Sequence, residues 1–422
     1  MSKLASLSIY DSNFFTNPYP FYEALHQQDL IYVDEANQSY FVGKYDDVDA
    51  ILKSPVFTTK PLMVRAEPVM GDRVLAQMEG EEHAAKRKLV MRGLAKDYFV
   101  NQYEPTIQQI THDLLVPFLS RGKIDLVNDF GRDYAVLVTL GILGLPTENY
   151  RDIADWHKGV AEFITHFDQT EQQKAHSLDC SKQLISLITP LVESRRQRPQ
   201  NDFISMLCGN AEPALNMSTS EITALCLNIL LAATEPADKT LAMMIKHLLS
   251  EPGALDEVVN DRRLIRDALE ETLRLTSPVQ LIPREVSEDV CISGNPIPKG
   301  AYIYCMIGAA NRDPNVFPQP EKFRLERRKN AVQGDAGKKK RHLAFGGGMH
   351  MCLGAAFSLL QLEATANIIF DSLRDMRMEH PETYQETGLY TRGPERLALS
   401  FKPWPQVNHQ RDTAQRLLAM EA

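Results

Sequence analysis

The chain has 422 residues, 24% of them charged and 44% hydrophobic, and carries a formal net charge of −9. This composition fits a soluble globular protein and excludes a general nucleic-acid binder, which needs a basic surface. Six cysteines (180, 208, 226, 291, 305 and 352) follow no disulfide rhythm, and the polar, proline-broken first twenty residues predict neither a signal peptide nor a membrane span. Together these features predict a reducing, cytoplasmic setting. Ser39–Val42 reads as a strand and Tyr45–Leu52 as a helix ending near Pro55. Glu81–Leu94 reads as a basic helix. Residues 105–275 are mostly helical by apolar spacing, with breaks at Leu145-Pro146 and Pro199-Gln200-Asn201. The longest helical signal runs from Glu221 to Leu249, between a Ser218-x-x-Glu221 capping box and Glu251-Pro252-Gly253. Short β-like pieces follow Pro278, helix returns after Cys352, and Leu389–Phe401 predicts a final hairpin. The sum is mainly α with minor β. No low-complexity linker or repeat divides it, so residues 1–422 are expected to form one large domain.

The most informative stretch is Phe345-Gly-Gly-Gly-Met-His-Met-Cys-Leu-Gly354. A cysteine closes a glycine-rich loop and opens an apolar helical run. Glycines let the backbone approach something flat that a Cβ would block, and a helix N-terminus favours thiolate over thiol. Such a sulfur suits a soft or borderline metal, with heme iron among the candidates. The glycines do not make a dinucleotide fingerprint, because Met351 stands where the last glycine is required. Zinc lacks a second ligand pair at fitting spacing.

The motif F-G-x-G-x-H-x-C-x-G resembles the heme-binding loop of the cytochrome P450 monooxygenases. The resemblance implies that fold, heme b as cofactor and Cys352 as the axial metal ligand, the class for which cysteine ligation of heme is known. Glu271-Thr-Leu-Arg274 matches the family's E-x-x-R, which implies an internal pair that fixes the heme loop. The family's Pro-x-Arg-Phe often completes that pair. Here the segment is Pro320-Glu-Lys322-Phe, and lysine cannot form the planar fork, so an incomplete network is expected. His83, Arg87, Arg284 and His350 match the positions that hold the heme propionates, where charge-assisted bonds are strong. Asn311-Arg-Asp-Pro314 matches a segment read as turn chemistry.

The chain departs from the family in its long helix. The oxygen-activating segment reads Ala232-Ala-Thr-Glu-Pro-Ala-Asp238. The acid, Glu235, is kept, but Pro236 replaces the proton-relaying threonine. Proline offers no N–H to the carbonyl four residues back, so the Ala232 carbonyl is freed for water or substrate. Around this segment, at 125–131 and at 388–394 the chain resembles bacterial P450 enzymes that oxidise cyclo-dileucine, so a cyclic dipeptide is the expected substrate. Phenol or aryl coupling by the same cofactor is an alternative, and an inert heme-binding scaffold a more distant one. By family position Ala233, Ala237, Ile282 and Tyr390 are candidate substrate contacts, with segments 65–70 and 163–167. The chain has no flavin or iron–sulfur domain, so electrons must come from a ferredoxin or flavodoxin with its reductase. Seven basic residues between Arg327 and Arg341, with Lys86, Lys88 and Arg92, are the expected docking face.

Overall fold

The computed structural model describes residues 9, 12–28, 31–35, 37–165, 169–209, 216–328 and 341–403. Helices form most of it. Those that matter for the site are α1 (Tyr45–Lys53), α2 (Lys60–Met70), α3 (Gly80–Gly93), α4 (Arg132–Leu143), α5 (Tyr150–Thr165), α6 (Glu171–Gln197), α7 (Thr219–Ser250), α8 (Leu264–Leu275) and α9 (Ala355–Ser372). A mixed sheet stands to one side. It consists of β1 (Tyr32–Asp34), β2 (Ser39–Val42), β3 (Phe57–Thr58), β4 (Leu281–Val286) and β5 (Tyr302–Met306) in the order β1-β2-β5-β4-β3. Only β2 and β5 run parallel, with Phe41 opposite Tyr304; the other pairs are antiparallel, and Ile282 faces Cys305 between β4 and β5.

The expected capping box starts α7: Ser218 Oγ accepts the Glu221 amide at 3.0 Å while Glu221 Oε2 accepts the Ser218 amide at 2.8 Å. Helix α7 joins two separate apolar cores. Its first half (Ile222 to Leu231) packs with α5, α6 and part of α2, and its second half (Ala237 to Leu248) with α8 and α9. Between the halves the helix is not sealed: Ala232 is exposed, and Ile229, Ala233 and Pro236 on the same face are part-buried. A three- to four-residue spacing puts these four on one stripe. Helix α9 is apolar and long enough to resemble a membrane span, but half of its most apolar window is buried, and Leu362, Ala366, Ile369 and Phe370 sit in the core.

The expected hairpin at 389–401 is corrected. Gly393–Pro394 pairs with Glu386–Thr387, whereas Ala398–Lys402 pairs with Lys123–Asp125 and Arg374–Met378. The turn signals around Gly393-Pro394 are real, but the last strand finds partners far away in sequence, which local patterning does not encode. Helix α2 is also absent from the sequence expectation. Its Pro61 at the N-terminus fits a helix start, but Pro68 inside it reads as a breaker.

Candidate active site

The cysteine loop is built by turns that only glycine takes easily. Gly346 and Gly348 have φ of +69° and +65°. A Cβ on Gly348 would fall against the Leu52 carbonyl oxygen at the end of α1, and one on Gly347 would lie 3.4 Å from Leu52 Cβ. The glycines thus serve an approach to α1, in addition to any approach to a ligand. The Cys352 amide donates to the Phe345 carbonyl at 2.8 Å and closes the loop. Helix α9 begins at Ala355, three residues after the cysteine. The amides of Gly354 and Ala355 and the charge of Arg87 pull the Cys352 thiol pKa down, but burial is the larger influence and the net shift is upward. The residue is exposed, although the surrounding protein desolvates its sulfur.

Two guanidinium groups and two imidazoles meet beside the loop. Arg87 Nη2 donates to the Met351 carbonyl at 2.6 Å, and the His83 and His350 rings lie 4.7 Å apart. Arg284 is buried on β4, on the same strand face as Ile282, which approaches Gly346. Burial lowers the pKa of both imidazoles and both guanidinium groups. His350 falls to about 4 through burial, then His83, Arg284 and Arg87. Among the groups that shift them, Glu79 is the one carboxylate, and it bears on His83 alone. A desolvated donor set without its own acid suits anions brought from outside. These donors, a sulfur between them and the open stripe of α7 fit a flat, dianionic metalloporphyrin such as heme.

Glu271 and Arg274 of α8 form a two-pronged ion pair, with Nε–Oε2 at 2.9 Å and Nη2–Oε1 at 2.8 Å; they are 4% and 2% exposed. The expectation of an incomplete network is corrected. Arg327 Nε reaches Glu271 Oε1 at 2.8 Å, and the rest of its guanidinium donates to the carbonyls of Pro318, Gln319 and Lys322. Arg274 itself donates to the carbonyls of Asn311, Pro320 and Lys322. Lys322 thus contributes its backbone, and the third side chain enters five residues later. That replacement removes Arg327 from the expected docking face, as does the burial of Lys86, which is paired with Glu82 and Glu221. Lys88 and Arg92 are exposed, as is Arg341. Lys329 and Lys338 to Lys340 lie outside the described residues. The Asn311-Arg-Asp-Pro314 segment is a staple: Asn311 Oδ1 accepts the Leu343 amide at 2.6 Å, and Asp313 Oδ2 accepts the Tyr45 amide at 3.0 Å.

The α7 segment keeps helical geometry through Pro236. Glu235 Oε2 lies 3.2 Å from Lys239 Nζ. Burial, the largest influence, raises the Glu235 pKa, but Lys239, His157 and the Thr391 hydroxyl outweigh it and hold the carboxyl below its ordinary range. Of the candidate substrate contacts, Ala233 and Ile282 are part-buried, whereas Ala237 sits among core side chains. Tyr390 lies beside Arg65 of α2, Arg284 and Tyr304, and its hydroxyl pKa is raised by burial to about 12. Its carbonyl accepts the Gln280 amide at 2.9 Å, which ties this loop to β4. Sequence reasoning missed His157 and Arg327; a lone histidine on an amphipathic helix and an arginine in a basic run carry no local signal.

A family model described as Cytochrome P450 matches residues 125–386. The chain is 47% identical over 395 residues to pulcherriminic acid synthase of Bacillus subtilis (strain 168), covering 93% of this chain and 97% of the relative. It is 28% identical over 400 residues to the biotin biosynthesis cytochrome P450 of the same organism, covering 93% and 98%. Among solved structures, CalO2 superposes with a TM-score of 0.84 at 23% identity over 94% of this chain and 99% of the other. P450BioI, in complex with a hexadec-9Z-enoic acid ligated acyl carrier protein, does so with 0.80 at 25% identity over 93% and 100%.

Proposed function

The chain belongs to the cytochrome P450 family and is a heme b monooxygenase, and we propose that it oxidises a cyclic dipeptide of the cyclo-dileucine kind with electrons from a separate ferredoxin or flavodoxin. The observation that carries the substrate reading is Pro236. It leaves the Ala232 carbonyl without its helical donor at the place where α7 is exposed. A cyclic dipeptide carries two ring N–H donors between apolar side chains. One N–H satisfies that carbonyl, while Ala233, Ile282 and Ile229 suit the leucyl groups. Extensive identity to pulcherriminic acid synthase supports the same reading.

When bound, heme activates dioxygen, with a cysteine thiolate favouring O–O cleavage. The protein's part is placement. Cys352 would hold the metal. His83, Arg87, Arg284 and His350 bind the propionates, and Glu271, Arg274 and Arg327 keep the loop rigid. On the α7 side Ala232 orients the substrate and Glu235 handles protons. For electron entry, Met349 and Met351 of the cysteine loop and Met91 of α3 are exposed next to Lys88 and Arg92. An apolar centre with basic neighbours fits a small acidic electron carrier.

The test is a spectral titration with cyclo-dileucine, followed by mass spectrometry of products formed with a ferredoxin and its reductase. A low-to-high-spin shift and an oxygenated or dehydrogenated ring are expected, with rates that fall as salt rises. No shift and no product with cyclic dipeptides, alongside coupling of a phenolic substrate, would replace this reading by the aryl-coupling one. No product from any member of either panel would overturn both substrate readings.

A further inference from the structure

The loop that carries Tyr390 and Thr391 is fastened to the start of the chain. It pairs first with the run leading into β4. The Gln280 amide donates to the Tyr390 carbonyl at 2.9 Å and the Arg392 amide to the Pro278 carbonyl at 2.7 Å, with Thr391 opposite Val279. Both runs then reach the N-terminal helices Ser12–Thr16 and Tyr19–Gln28. Arg392 is 2% exposed, and its two terminal nitrogens donate to the carbonyls of Phe15 and Thr16, each at 2.7 Å. These carbonyls end a helix, where no intrahelical donor remains for them. The Gly388 amide donates to the same Phe15 carbonyl at 3.2 Å. Tyr22 donates its hydroxyl to Gln280 Oε1 at 2.6 Å, and Gln280 Nε2 donates to the Ser277 carbonyl. A buried guanidinium is costly unless its charge is met. Glu386 meets it: its carboxylate stands 3.5 Å from Arg392 Nε and accepts the Tyr384 hydroxyl at 2.9 Å and the Tyr19 hydroxyl at 3.4 Å. Leu389 and Tyr390 pack on the apolar cluster that contains Phe14, Phe21 and Tyr22.

The loop also meets α7. Arg392 is followed by Gly393, where a Cβ would lie 2.5 Å from Lys239 Cγ, so the backbone rests directly on the Lys239 stem. Lys239 Nζ is 3.2 Å from Glu235 Oε2. A continuous line of contacts runs from the N-terminal helices through Arg392 and Gly393 to the Glu235–Lys239 pair. We propose that Arg392 is a positioning residue. By tying this loop to the N-terminal helices it sets where Tyr390 stands and how Gly393 seats Lys239, so the start of the chain shapes the substrate space. The proposal rests on the reading of Tyr390 as a wall of that space. A wall ordered beforehand costs a ligand less to bind against. The Glu271–Arg274–Arg327 frame takes its backbone bonds from residues 311 to 324, so loss of a latch should leave heme loading in place.

The experiment titrates holoenzyme carrying Arg392→Gln, Arg392→Lys or Tyr22→Phe with imidazole and with 4-phenylimidazole, two heme ligands that need no native substrate. Imidazole reads the metal, and the added phenyl group reads the space beyond it. Hydrogen–deuterium exchange of residues 386–394 and a titration with cyclo-dileucine are run in parallel. In Arg392→Gln the loop amides are expected to exchange about tenfold faster, and the ratio of the 4-phenylimidazole to the imidazole dissociation constant to rise by about fivefold. The dissociation constant for cyclo-dileucine should rise by about tenfold, with the imidazole constant and the carbon monoxide spectrum at wild-type values. Arg392→Lys, which keeps the charge and part of the carbonyl bonding, should fall between. Tyr22→Phe opens the other latch and should move both readouts the same way by less; it decides if neither Arg392 variant folds. Faster exchange with an unchanged ratio makes the latch merely structural and overturns the proposal. A raised ratio without faster exchange, or no change in either, overturns it as well. Wild-type protein that ignores cyclo-dileucine would defeat the cyclic dipeptide reading alone, because the azole ratio and the exchange do not depend on it.

Discussion

The two sides of the site are held in different ways. Behind the cysteine loop the ion-pair frame is fully bonded: the Glu271 carboxylate takes bonds from Arg274, Arg327 and the Arg324 amide, and Arg274 shares three further carbonyls. On the α7 side the helix runs through a proline, the Ala232 carbonyl lacks its partner, and a buried histidine nitrogen is unbonded. The first side is a fixed frame for a cofactor, where looseness would lose the metal. The second holds groups for a reacting molecule, and unbonded groups there are available to substrate, water and protons. Rigidity and incompleteness are thus divided between the two faces of one site.

Removing the sulfur breaks the comparison most completely. Cys352→Ser should abolish the red-shifted carbon monoxide band and lower monooxygenase turnover by on the order of a thousandfold or more, read by difference spectroscopy and product formation. Next in size is the frame behind it. Arg274→Ala leaves Glu271 buried against Arg327 and the Arg324 amide only and should destabilise the fold by about 3–5 kcal/mol, with heme loading lost in parallel. Arg327→Met should cost about 1–2 kcal/mol by chemical denaturation. A smaller loss than with Arg274→Ala is expected because the guanidinium of Arg327 is nearer the surface.

On the α7 side the sign should reverse. Pro236→Ala restores the amide donor to Ala232 and relieves the helix, so stability should rise by about 1 kcal/mol or more. The same bond removes the acceptor offered to substrate, and the dissociation constant for cyclo-dileucine should rise by about tenfold in a spectral titration. A stabilised variant with unchanged affinity would break the link between that carbonyl and the ring N–H. The smallest effect belongs to the frame's edge. Burial pulls the Glu270 pKa up, but His342 at 2.9 Å and Arg266 outweigh it and bring it down to about 2 from an ordinary 4.5. A carboxyl depressed in the folded state stabilises above its unfolded pKa, and that contribution is lost as pH falls from about 4.5 through about 2. His342→Gln should therefore weaken stability by about 1 kcal/mol near neutral pH and flatten its fall across that acid window, read by melting temperature against pH.

Legibility in the sequence followed the range of the interactions. The cysteine loop, E-x-x-R and the capping box of α7 were readable because each is a short run whose residues act on one another or on the same ligand. The proposed propionate set could be named only through family resemblance, since His83, Arg284 and His350 come from α3, β4 and the loop. Arg327 was misread as a surface cation, because a basic run looks the same whether its first member points inward or outward. Lys86 was misread for the same reason. The last strand was placed in a hairpin because turn residues were visible while its partners at 123–125 and 374–378 were not.

The sequence by itself determined the cysteine loop whose resemblance implies the cofactor class, the mostly helical architecture and the anomaly at Pro236, because each rests on covalent geometry or on residues a few positions apart. Only the tertiary structure decided which arginine completes the Glu271 network, that Gly348 is needed for the backbone of α1, and that His157 meets the central helix. These are contacts between elements far apart in the chain. They depend on how apolar faces pack, and no local pattern records which polar side chains that packing will bring together.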